Sequence, residues 1–181
     1  MPGNAIIVLT DILRATTTIC TALYHGVEAI LPVATLEEAI EYKRKGYWVA
    51  AEREGRKPDF ADLGNSAFHF MDPGLRGKTL VYSTTNGTQA FEQVRDRGEV
   101  VFGAFVNLSA LAAYLLSRKC PVVILCSGWK GRFNLEDTVF AGALTARLCQ
   151  NEEFYPGSDA AHAAVDLWHS ASPDLMDYHQ K

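Results

Sequence analysis

Pro121-Val122-Val123-Ile124-Leu125-Cys126-Ser127-Gly128-Trp129-Lys130-Gly131-Arg132-Phe133-Asn134-Leu135-Glu136-Asp137 passes from an apolar, β-branched run through a glycine-containing turn into an amphipathic segment. The first part, Pro121 to Cys126, reads as a buried strand. Leu135 to Gln150 reads as a helix, with Val139, Phe140, Ala143, Leu144 and Leu148 on one face. This strand, polar turn, helix order recurs along the chain. Ala5 to Thr10 precedes a helix from Ala15 to Tyr24, stopped at His25-Gly26. Ala29 to Val33 precedes a helix capped by Thr35 and running through Arg44, with Glu37 and Glu38 in its first turn. Tyr47 to Ala51 and Lys78 to Ser83 are further strands, separated by an irregular polar loop from Glu52 to Asp72. Thr88 to Arg97 is a helix, Val100 to Gly103 a strand, Leu108 to Arg118 a helix capped by Asn107, and Asp159 to Trp168 the last helix. The alternation predicts an α/β fold, three-layered α/β/α, with a largely parallel or mixed sheet or two small α/β subdomains.

The polar clusters follow strands, at the sheet edge where open α/β folds bind ligands. Asp11 comes directly after Ile6-Ile7-Val8-Leu9-Thr10, and Arg14 with Thr16, Thr17 and Thr18 opens the next helix. Carboxylate oxygen suits a hard cation such as magnesium, whereas arginine, hydroxyls and free helix N–H groups suit an oxyanion. The plainer alternative is that Asp11 caps the helix and Arg14 pairs with a surface acid. Ser83-Thr84-Thr85-Asn86-Gly87-Thr88 supplies a continuous polar run before a helix, more than a capped turn requires, and points to a phosphate or sulfonate. Glu136 and Asp137 stand where a helix dipole favours acids whatever their function. With Asp11 and Glu52 at other junctions, they also supply carboxylates for a magnesium site open to water and substrate. Glu52-Arg53 and Gly64-Asn65-Ser66 flank the irregular loop, while His25, His69 and His162 read as structural.

The 181 residues accommodate one domain with a sizeable core, and 48% of them are hydrophobic, as in ordinary globular chains. The longest apolar run, Ala110 to Leu116, is far short of the roughly 20 residues that span a bilayer. With no basic and apolar leader, the expected setting is the cytoplasm. A net charge of −4 argues against nucleic acid as partner. Cys20, Cys120 and Cys149 sit in apolar contexts and read as reduced core residues.

Two further patterns invite comparison. Gly74-Leu75-Arg76-Gly77-Lys78-Thr79 has too short a glycine spacing for a nucleotide loop and precedes a strand. Cys126 and Arg132 have the C-x5-R spacing of thiolate phosphatases, although Leu125 and Phe133 replace the residues expected to activate the thiol and assist the leaving group.

Asp11-Ile12-Leu13-Arg14-Ala15-Thr16-Thr17-Thr18, Glu52-Arg53, Gly64-Asn65-Ser66, Thr84-Thr85-Asn86-Gly87-Thr88, and Ser127-Gly128-Trp129 through Leu135-Glu136-Asp137-Thr138 occur in that order. Together they resemble the motifs of the 2-phosphosulfolactate phosphatase family, from about Ile6 to Leu148. The resemblance implies magnesium-dependent hydrolysis of 2-phosphosulfolactate, a small phosphorylated organic acid, to 3-sulfolactate and phosphate, in coenzyme M synthesis. The expectation that follows is magnesium held by some of Asp11, Glu52, Glu136 and Asp137, with Asp11, Arg14 and Asp137 catalytic. Arg53, Asn65, Ser66, Thr84, Thr85, Asn86, Gly87, Thr88, Asn107, Gly128 and Lys130 would bind substrate. Asp11 stays open between metal ligand, general base and nucleophile, although Leu13 stands where the haloacid-dehalogenase pattern would put a second Asp. Ala51, Ala67 and Leu108 depart from the family's usual residues. The family's N-terminal segment and C-terminal extension, with its Ser-x-His-Gly element, have no counterpart, so the expectation is one shortened domain over residues 1–181 that tends to self-associate. The alternatives are a metal-free Cys126/Arg132 phosphatase and a non-catalytic anion-binding domain.

Overall fold

Six short aliphatic runs become strands: β1 (Ile6–Thr10), β2 (Ala29–Pro32), β3 (Trp48–Ala51), β4 (Thr79–Ser83), β5 (Val100–Gly103) and β6 (Val122–Cys126). The computed structural model, which describes residues 4–172, 174 and 175, arranges them as two three-stranded parallel sheets, ordered β5-β1-β6 and β2-β4-β3. Register places Thr10 of β1 beside Gly103 and Cys126, and Ser83 of β4 beside Ala51. Every residue of the central strand β1 is buried, which explains its unbroken apolar sequence: a parallel strand covered on both faces has no polar side to present.

The helices are α1 (Ala15–Tyr24), α2 (Leu36–Arg44), α3 (Gly87–Val94), α4 (Leu108–Arg118), α5 (Leu135–Leu148) and α6 (Asp159–Ala171). α1 carries the chain from the first sheet to the second, and α3 brings it back. This double crossing divides the strands between two sheets, the subdivided form of the α/β expectation. α1 buries Ala15, Ile19 and Ala22 against Leu80 and Tyr82 of β4, so it covers the second sheet as well as leaving the first. Helices α4 and α5 cover the first sheet through Leu111, Leu115, Phe140 and Leu144, packed with Ile6 and Val8. Ala39 of α2 packs with Val49, Ala51 and Val81 on the second. The Thr35 and Glu38 side chains bond each other's backbone N–H groups in a capping box at the start of α2.

The loop after β3 contains two 3₁₀ turns, Ala67–Met71 and Pro73–Leu75, whose Phe70 and Leu75 are buried against the second sheet. That burial ties down what the sequence shows only as an irregular polar stretch. Asn107 differs from its expected capping role: it makes no side-chain bond to α4 and instead joins the Ala104 N–H to the Phe102 carbonyl.

Candidate active site

The C-terminal edges of the two sheets meet at Asp11. Its Oδ1 accepts from Ala15 N–H at 3.2 Å, and Thr16 bonds its backbone, which starts α1 as the capping alternative requires. Capping does not exhaust the carboxylate. Oδ2 receives no hydrogen bond from the described residues and faces Gly87 of α3, where a Cβ would lie only 3.0 Å from it and 3.2 Å from Thr84 Oγ1. Glycine at this position thus lets α3 approach the acid. Asp11 is 7% exposed. Burial first, then the charges of Asp137, Glu52 and Glu136, push its pKa up to about 7 against the single opposing N–H of Ala15.

Asp137 is fully buried, and its two oxygens accept from Ile12 N–H at 2.8 Å and Gly128 N–H at 3.1 Å. It therefore fastens the segment after β1 to the turn after β6. Burial lifts its pKa to about 6 despite these donors, with Glu136 adding to the rise. Glu136 has one oxygen bonded by Asn134 Nδ2 at 3.3 Å.

From the second sheet, Glu52 accepts from Thr85 Oγ1 at 3.1 Å, Thr85 N–H at 3.3 Å and Gly55 N–H. Thr84 and Thr88 bond each other's backbone, leaving the Asn86 and Gly87 N–H groups at the start of α3 without a side-chain acceptor among the described residues. Such a helix start favours an anion. Asn86 Oδ1 accepts from Lys130 N–H at 3.2 Å, so the turn before α3 touches the turn after β6. Arg14 is exposed at the start of α1 without a capping bond.

Of the expected binding residues, Arg53, Asn65 and Asn107 bond to the protein itself. Arg53 donates to the Glu52 and Ala34 carbonyls and to Ser83 Oγ, which clasps the ends of β2, β3 and β4. Asn65 accepts from the buried Tyr82 hydroxyl, Ser66 makes no side-chain cap, and Asn107 is occupied as described above. Gly128 adopts φ +68°, and a Cβ there would lie 2.3 Å from the Arg132 carbonyl oxygen, so glycine is required by the turn.

Two features count against the thiolate alternative. Burial, with the Asp137 charge beside it, pushes the Cys126 thiol up to about 12, so it stays protonated at neutral pH. The intervening loop is also a hairpin in which Trp129 and Arg132 exchange backbone bonds and Gly128 N–H is held by Asp137, removing the donors that would cradle a phosphoryl group over sulfur.

Carboxylate, hydroxyl and amide oxygens are the donors that a hard cation takes. Among the described residues, Asp11 Oδ2 and the second Glu136 oxygen have no donor, and Thr10 Oγ1, Ser127 Oγ and Asn134 Oδ1 are buried without partners. Among the described residues no three acidic, His or Cys side chains converge into a ready metal cage. An all-oxygen set with one or two available carboxylates suits magnesium, which retains waters and binds substrate phosphate directly. Neither the orphaned polar atoms nor the hairpin pair Glu54-Gly55 was singled out from sequence; the latter has the X-Gly signature of a tight hairpin turn.

A family model described as 2-phosphosulpholactate phosphatase matches residues 1–181. The chain is 44% identical over 163 residues to a probable 2-phosphosulfolactate phosphatase of Thermotoga maritima, covering 90% of this chain and 69% of the relative. A protein of the same name from Caldanaerobacter subterraneus is 35% identical over 175 residues, covering 94% of this chain and 72% of the relative. Another from Gloeothece citriformis is 38% identical over 189 residues, covering 100% of this chain and 77% of the relative.

Proposed function

The chain belongs to the 2-phosphosulpholactate phosphatase family of phosphoric monoester hydrolases, and we propose that it hydrolyses 2-phosphosulfolactate, or a closely related phosphorylated hydroxy acid, with magnesium as cofactor. The observation that carries this reading is the placement of the under-bonded Asp11 carboxylate against the N-terminus of α3. An acid needing a counter-cation and a helix start needing an anion lie side by side, and a metal phosphate answers both.

In this reading the N–H groups of Asn86 and Gly87 hold the phosphoryl oxygens. Arg14 and Lys130 hold the sulfonate or carboxylate from the outer side. Asp11 and Glu136 would hold magnesium, which when bound supplies positive charge to the phosphoryl oxygens and acidifies attacking water. Asp137 acts through the backbone as a positioning residue, and Glu52 fixes Thr85. The four cysteines are free thiols, in keeping with a cytoplasmic setting.

The test is phosphate release from 2-phosphosulfolactate and from phospholactate, with excess magnesium and with EDTA. Release that is faster with the sulfonate and abolished by EDTA is expected. Turnover that persists in EDTA would remove the metal mechanism, and phosphate binding without turnover would leave only an anion-binding domain.

A further inference from the structure

Two small hairpins, one following a strand of each sheet, bond to the turn before α3. The first turns at Glu54-Gly55, between the bridged residues Arg53 and Arg56. The second turns at Lys130-Gly131, between Trp129 and Arg132. Both central positions of each have positive φ: 53° and 81° in the first, 51° and 72° in the second. This is the pattern of a type I′ turn, in which the first position normally falls to Asn, Asp or Gly. Here those positions hold a glutamate and a lysine, and the two side chains reach each other, with Lys130 Nζ 3.5 Å from Glu54 Oε1. Left-handed conformations in bulky residues are unfavourable and concentrate where function requires them.

The pair lies over the anion-binding turn. Glu54 N–H donates to Thr85 Oγ1 at 3.2 Å, and Lys130 N–H donates to Asn86 Oδ1 at 3.2 Å. Each latch residue is thus anchored by its backbone to one of two adjacent residues before α3, while its side chain is only lightly held. The side chains are 78% and 50% exposed, and Lys130 Nζ also lies 5.0 Å from the Trp129 ring centroid. An exposed ion pair of this kind is weak and exchanges its partner readily.

We propose that Glu54 is a positioning and specificity residue: its carboxylate stands in for the anionic tail of the substrate, keeps Lys130 over the empty site, and yields Lys130 to that tail on binding. The identity of the tail rests on the phosphatase reading above, whereas the exchange itself requires only an anion near enough to draw Lys130 from Glu54, which inorganic phosphate beside the turn also supplies. A multiply charged phosphorylated acid displaces Glu54 more effectively than a monoanion, so the pair discriminates by charge.

The test compares wild type, Glu54→Gln, Lys130→Met and the double variant in steady-state kinetics. A parallel titration with inorganic phosphate is read by Trp129 emission, with Trp129→Phe as the blank. Glu54→Gln is expected to lower KM about two- to fivefold, the range an exposed ion pair allows, with the change in KM exceeding that in kcat. Phosphate affinity should tighten in the same direction, and both gains should vanish in the Lys130→Met background. Unchanged or weakened affinity in Glu54→Gln, or an equal gain without Lys130, would overturn the proposal. If wild type binds phosphate without hydrolysing the phosphorylated acid, the function reading fails while the titration still decides the latch.

Discussion

Asp11 receives one backbone N–H and lies among other carboxylates, an arrangement that disfavours the ionised form. The folded pKa values of about 7 for Asp11 and about 6 for Asp137 lie above the ordinary carboxylate value of 3.8, so protonation of either favours the folded state. Their contribution is complete below about pH 4 and is lost as pH rises through 6 and 7. In EDTA the melting temperature of wild type should therefore fall more between pH 5 and 8 than that of Asp11→Asn. Magnesium should raise it at pH 8 more in wild type than in the variant; equal slopes would contradict the assignment. Cys126→Ser should retain kcat within about threefold, since a thiol that stays protonated lends no nucleophile, and a loss of several orders of magnitude would restore the thiolate mechanism. Asp11 and the Thr84 to Thr88 run were legible in the sequence because each follows an apolar strand directly. The structural engagement of Arg53, Asn65 and Asn107 was not, because a polar residue looks the same in sequence whether its partner is a ligand or the protein itself, as with the Ser83 hydroxyl 30 residues from Arg53 and the Tyr82 hydroxyl 17 residues from Asn65.

At the scale of elements, α3 can act on Asp11 only because position 87 lacks a side chain. In Gly87→Ala the new methyl would meet Ala15 Cβ at 2.8 Å and crowd Asp11. A drop in kcat/KM of tenfold or more is expected, with a smaller loss of stability, about 1–3 kcal/mol for an overpacked site. Full activity would mean that α3 does not contribute its N-terminus. Arg53→Ala removes donors from two carbonyls and the Ser83 hydroxyl, and chemical denaturation should show a loss of about 1–3 kcal/mol. Unchanged stability would return Arg53 to the list of substrate contacts. Strand and helix positions were readable from periodicity, but not every end: α3 begins at Gly87 and ends at Val94, short of the expected Arg97, and α6 runs to Ala171, beyond the expected Trp168. Glycine is a poor helix former, so its place as the first helical residue is imposed by the close approach to Asp11 and not by propensity.

Across the whole molecule, parallel pairing aligns the C-terminal edges within each sheet, and the two crossings by α1 and α3 bring those edges together. The α/β class follows from the alternation of apolar runs, but the division into two sheets depends on which sheet each crossing helix covers, and periodicity carries no such information. α6 joins this frame through α5, where Gly142 brings its backbone so close that a Cβ would lie 1.9 Å from the Ala164 carbonyl oxygen. Gly142→Ala should loosen α6 selectively, seen as faster amide exchange in α6 than in α1; protection unchanged in both would contradict that packing. The measurement that bears most directly on the whole is phosphate release from 2-phosphosulfolactate in magnesium by folded Asp11→Asn beside wild type. A loss of about a hundredfold or more in kcat is expected from removing a charged group at the reacting phosphate, and a rate near that of wild type would show that the chemistry lies elsewhere.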